Sequence, residues 1–118
     1  MANTFKTVTV SNVDSDSTNP TVIYTVPSGA TCVVLGLLCV NKVTSPVRIT
    51  VLLDSNTTNS GASNNDNITL GKSLLLPVSS SLEFMSGQKY ILQTNDSLKA
   101  FSDSTSSVDI CFNYMEIT

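Results

Sequence analysis

The stretch Ala30–Asn41, ATCVVLGLLCVN, constrains this chain more than any other. It opens after the turn signal Pro27-Ser28-Gly29, closes at Asn41-Lys42, and carries no charge. A strand with one wet face alternates apolar and polar side chains, and this one does not. Under strict alternation Cys32, Val34, Leu38 and Val40 point one way, and Val33, Leu35, Leu37 and Cys39 the other. Both faces therefore call for cover. One belongs to the domain's own core. The other needs more of this chain or a neighbouring subunit. Gly36, in the middle, marks a bulge or a close backbone approach.

The rest of the chain limits what can supply that cover. No window of ten or more residues pairs helical apolar spacing with helix-forming neighbours, so no helix is expected over the sheet. Instead, β-branched residues and turn formers recur every 8 to 12 positions, as in a sandwich or barrel. Alternation predicts strands over Thr4–Val10, Thr21–Val26, Ala30–Asn41, Val47–Leu53 and Val108–Ile117. Asn67–Pro77 reads as one kinked strand or two short ones, and Leu82–Phe84, Lys89–Thr94 and Leu98–Ser102 as short strands. Ser11–Pro20 and Asp54–Asp66 read as loops, with turns at Met85-Ser86-Gly87 and Asn95-Asp96-Ser97. The expectation is one domain over 1–118, an all-β sandwich of two antiparallel sheets with eight to nine strands, jelly-roll-like or Ig-like.

Length and composition agree. A chain of 118 residues suits a single core and needs no disulfide or metal to fold. Only 13% of residues are charged, and Ser, Thr and Asn carry the solubility, which favours packing against copies of itself. Lys6, Lys42, Arg48, Lys72, Lys89 and Lys99 are scattered singly, so neither nucleic acid nor a membrane surface is an expected partner. Cys32, Cys39 and Cys111 are odd in number and read as free thiols of a chain made in a reducing cytoplasm. The first residues, MANTFKTVTVSN, do not read as a secretory signal, and the apolar run is short of the ~20 residues of a membrane helix.

Chemistry has few places to sit. There is no histidine, no CxxC and no phosphate-binding glycine motif, so no enzyme, cofactor or metal is expected. Asp14-Ser15-Asp16 and Asn64-Asn65-Asp66-Asn67 are oxygen-rich enough for a hard cation, but such residues ordinarily cap their own loops. Tyr24, Tyr90, Tyr114 and the four phenylalanines could stack on sugars, yet each sits at a strand position suited to a core.

The segment TVIYTVPSGATCVV, Thr21–Val34, resembles the opening of small all-β virion structural proteins of tailed bacteriophages, especially those of marine cyanobacteria. In that pattern an IYTVP[AS]G strand-turn-strand is followed by a polar hairpin and later turns. LEFMSGQKY at Leu82–Tyr90, NDSLKA at Asn95–Ala100 and the final Glu-Ile-Thr are similar to its later parts. The resemblance implies a virion component that self-associates and docks on other virion proteins, such as a major capsid protein or a tail protein. Capsid decoration is the first expectation, and a neck, tail or baseplate part the second. The virion is the expected location, with synthesis in the host bacterial cytoplasm. The rival is a carbohydrate- or receptor-binding module at a tail tip, which would expose its aromatics. The expected interface is Val33, Leu35 and Leu37 on the second face of the central strand, joined by Leu52, Leu75 and Met115.

Overall fold

The structure, a computed structural model, describes residues 2–55, 67–84 and 90–118. Most of the Asp54–Asp66 loop, its Asn64–Asn67 cluster apart from Asn67, and the Met85-Ser86-Gly87 turn lie outside the described residues. Nine strands are described: β1 (Asn3–Val10), β2 (Thr21–Thr25), β3 (Thr31–Asn41), β4 (Val47–Asp54), β5 (Ile68–Leu76), β6 (Ser81–Glu83), β7 (Tyr90–Leu92), β8 (Ser97–Ser102) and β9 (Val108–Ile117). No helix forms among the described residues. Asn67–Pro77 is thus one strand, kinked by register shifts against β4 around Thr50 and between Val51 and Leu52.

The first sheet runs β1-β9-β3, with β6 and β7 both on the far edge of β3; the second runs β2-β8-β4-β5. All pairings are antiparallel, and they nest: β1 with β9, β2 with β8, β3 with β6 and β7, β4 with β5. That nesting is a long antiparallel ribbon rolled into two layers, a jelly roll, and it decides between the two expected sandwich types. Most connections therefore pass between sheets, all but those from β4 to β5 and from β6 to β7. Asn95-Asp96-Ser97 is such a corner: Asn95 takes a positive φ of 71°, its N–H donates to Val26 O, and Asp96 O accepts the Val26 N–H, both at 3.0 Å. At the β2–β3 turn the Ala30 N–H reaches Pro27 O at 3.2 Å, and Gly29 supplies the positive φ of 79° that side chains resist.

The central strand is not uniformly two-sided. Val34 opposes Tyr114 and Gly36 opposes Asn113, so Leu35 is an extra residue with no partner on β9. This bulge flips the alternation. Before it, Cys32 and Val34 point into the core; after it, Leu37, Cys39 and Asn41 do. Leu37 is therefore a core residue, fully buried, and not part of an outer face. Cys32 and Cys39 likewise share the core face instead of opposing each other, and both are free thiols. Burial pushes each up to about 12. The bulge is held from the side: the Leu37 N–H donates to Glu83 Oε1 at 3.3 Å, and the Phe84 N–H to Leu37 O at 2.7 Å. A Cβ on residue 36 would stand 3.3 Å from that same carboxylate oxygen, so glycine lets Glu83 close over the strand. A second bulge, at Ile23, turns that side chain inward and leaves Val22 exposed.

Between the sheets lie Val34, Leu37, Ile49, Val51, Leu98, Ile110 and Phe112, with Val13 added from the β1–β2 loop. Val13 is drawn in by its N–H bond to Val108 O at 2.9 Å, while the Ser102 N–H holds Asp14 O at 2.9 Å. Asn41, buried at the end of β3, ties three segments together. Its Nδ2 donates to Ser45 O, Leu76 O and Pro77 O at 2.9, 3.0 and 3.2 Å, and its Oδ1 accepts the Val43 N–H at 2.9 Å.

Candidate interaction surface

The outer face of the first sheet is built by the residues that alternate away from this core. Cross-strand register lines up Phe5, Met115, Val33 and Ile91 as direct neighbours on β1, β9, β3 and β7. They form one apolar row across the sheet. Phe5 is 73% exposed and Ile91 66%, large values for such side chains, while Val33 and Met115 are half-buried between them. Leu35, pushed out by the bulge, is exposed beside this row on β3. The next rows are uncharged as far as Glu83, which stands opposite Leu38 on the edge strand β6. Thr7 Oγ1 bonds Asn113 Oδ1 at 3.0 Å, and Cys111 and Leu38 stand opposite each other beyond it. A shallow groove of about 310 Å³ lies at that end, between Thr9, Val40, Asp109 and Cys111.

Charge is confined to the margins of this face and is already engaged. Asp109 meets Lys42 Nζ at 2.9 Å and accepts the Asn12 N–H at 3.0 Å. The Lys42 hydrogen bond, with help from Asn12, holds the Asp109 carboxyl below its usual range despite partial burial. Glu83 is turned to the bulge.

Three of the six expected interface residues, Val33, Leu35 and Met115, come together here. Leu37 does not, for the reason given above. Leu52 lies on the outer side of the second sheet beside Lys99, and Leu75 on β5 opposite Arg48, so both belong to the opposite layer. Phe5 and Ile91 were not expected. Phe5 had a visible signal: it alternates with Thr7 and Thr9, the face of β1 that reads as wet, where a large aromatic is out of place.

Of the aromatics that could have made a sugar platform, three are spent inside and only Phe5 is exposed. Tyr24, Phe112 and Tyr114 pack with ring centroids 4.4 to 5.7 Å apart. The Tyr24 hydroxyl donates to Glu116 Oε2 at 2.7 Å, and Lys6 Nζ donates to Glu116 Oε1 at 3.0 Å. In the oxygen-rich β1–β2 loop Asp16 is used locally: its carboxylate accepts the Thr18 N–H at 2.9 Å and Asn19 Nδ2 at 3.4 Å. Among the described residues no three acidic, cysteine or histidine side chains gather into a metal site.

The Glu116 cluster carries a pH dependence. The Tyr24 bond first, then Lys6, holds the Glu116 carboxyl below its ordinary value of 4.5. A carboxyl depressed in the folded state stabilises it above the unfolded pKa, and the contribution is lost as pH falls through the folded value. Melting temperature is therefore expected to fall on the acid side of 4.5, and Glu116→Gln to lower the melt at pH 7 and flatten that acid limb. Parallel wild-type and variant curves from pH 7 to 2 would contradict this.

The chain matches no protein-family model, no curated protein and no solved structure.

Proposed function

We propose that this chain is a bacteriophage virion structural protein that self-associates and docks on other virion proteins through the outer face of its first sheet, as a capsid decoration protein. The observation that carries the reading is the uncovered row Phe5-Met115-Val33-Ile91 with Leu35 beside it, on a face where, among the described residues, charges stand only at the margins. A second copy suits such a face. A twofold interface sets each patch against itself, and a neutral patch meets no like charge there. Jelly rolls serve as capsid and lectin domains alike, so the choice between them rests on the site. Here the aromatics a sugar would need are packed in the core or half-buried, apart from Phe5.

Magnitudes favour a surface that works in numbers. Eleven residues of β3 and four strand spacings give a face of roughly 36 by 19 Å, about 700 Å². A stable interface buries about 800 Å² a side. With about 57% of such an interface apolar, the two facing surfaces together bury about 800 Å² of apolar area, and ~25 cal/mol per Å² yields about 20 kcal/mol gross. Rigid-body association costs ~4–15 kcal/mol, and side-chain ordering and polar desolvation take a further share. One contact therefore keeps only a modest surplus, and many copies on a shared lattice bind firmly.

The test is gold labelling, with antibody to this chain, of the particles that carry it. Label over the icosahedral shell is the expected result. Label confined to the neck, tail or baseplate would replace decoration by the second expected placement, and particles free of label would overturn the virion reading.

A further inference from the structure

Among the described residues the two sheets have four open edges, and three of them are blunted. β2 is short and bulged at Ile23, β5 carries register irregularities against β4, and β6 and β7 are three-residue pieces. β1 is different: it runs eight residues, pairs with β9 from Asn3 to Val10 without a shift, and contains no proline. Sheets avoid unwanted pairing by bulges, short edges, prolines and edge charges. The one charge on β1, Lys6, is turned to Glu116.

The ladder shows which groups face the open side. Ala2 and Thr118 exchange both of their backbone bonds, each at 3.0 Å. Alternation then directs Thr4, Lys6, Val8 and Val10 toward β9, and leaves the N–H and C=O of Asn3, Phe5, Thr7 and Thr9 aimed outward. No backbone partner meets them among the described residues.

We propose that β1 of a second copy fills this edge, antiparallel, about a twofold axis at Phe5. The idea rests on the self-association read above and names its geometry. Phe5 then faces Phe5 of the partner subunit, Asn3 faces the partner's Thr7, and Thr7 the partner's Asn3. Three bonded pairs supply six N–H···O bonds. Centring on Lys6 would set two ammonium groups opposite each other, and centring on Thr7 would place Phe5 against threonine and break the apolar row. Centred on Phe5, the row Ile91-Val33-Met115-Phe5 continues into the copy, on one side of a single wide sheet.

Sedimentation of Leu35→Asp, which blocks the outer face and leaves the edge, tests this. A mass of twice the 12.5 kDa chain is expected. Adding Thr7→Pro, where the N–H is unused within the chain and proline is tolerated, is expected to weaken that dimer roughly 100-fold. Hydrogen exchange on the wild-type chain reads the same contact without a variant: the Phe5 and Thr7 amides gain protection at least about tenfold as concentration rises. A monomeric Leu35→Asp beside an associating wild type, a double variant that remains a dimer, or Phe5 and Thr7 amides indifferent to concentration would each overturn edge pairing alone. A wild type monomeric at every concentration would overturn self-association as well.

Discussion

Leu37→Asp is expected to yield no folded protein, while Leu35→Asp, two residues away on the same strand, keeps the fold and loses association through the outer face. In a regular strand the two side chains share a face. The bulge separates them: Leu37 is fully buried and Leu35 is exposed. Truncating a buried leucine to alanine already costs ~2–5 kcal/mol. An unpaired carboxylate in that place adds several more, against a total stability of about 5–15 kcal/mol. At position 35 the carboxylate meets water, so stability is expected to change by less than about 1 kcal/mol. Circular dichroism and denaturant melts check the fold. Light scattering checks association: wild-type mass climbs with concentration past the dimer, and that of Leu35→Asp stops at twice the chain mass. Equal damage from the two substitutions would mean that β3 has no bulge at Gly36.

Asn41→Leu carries the second large effect. Leucine keeps the branched four-heavy-atom shape of asparagine, somewhat enlarged, so the change chiefly removes polarity. Four hydrogen bonds vanish, and the carbonyls of Ser45, Leu76 and Pro77 lose a shared donor. Leu76 is buried and its carbonyl gains little water, whereas the other two lie at loop positions. An unsatisfied buried group costs ~1–3 kcal/mol, and a second bond of ordinary worth adds ~1 kcal/mol, giving about 3 kcal/mol in all. The urea midpoint is expected to drop at unchanged slope, since the surface exposed on unfolding stays the same. Asn41→Asp is expected to be worse, because it sets a carboxylate oxygen against three carbonyls.

The strands were legible because most alternate, and alternation is what a half-buried sheet writes into a chain. Val47, Ile49 and Val51 on β4, and Val108, Ile110, Phe112 and Tyr114 on β9, face the core as their spacing indicates. Val108–Ile117 was placed to the residue. The faces of β3 and β2 were not legible. Gly36 marked the position of a bulge, but one extra residue reverses every later side chain, and nothing local in the sequence says whether the slip occurs. A third of the expected surface scattered for a different reason. Leu52 and Leu75 are apolar and outward-facing, as expected, but a jelly roll sends β4 and β5 to the other layer, and the layer of a strand is set by pairings far apart in sequence. Ile91 and Val13 were missed because each sits in a stretch too short or too polar to carry a period. The open edge of β1 follows from what the other three edges lack, a comparison that exists only once the sheets are assembled.

Cys111 offers the most direct measurement, since it stands on the outer face opposite Leu38 and Thr9 and is half-exposed. Cys32 and Cys39 are buried, with thiols pushed up to about 12, and stay silent toward a maleimide. Its labelling rate therefore reports whether this face is open. Pairing of β1 edges alone leaves it open, so the readout separates face from edge. Rapid labelling in dilute protein, and at least about tenfold slower labelling in concentrated protein or on the assembled particle, is the expected result. The same rate in dilute, concentrated and particle-bound protein would contradict an outer face that works by being covered.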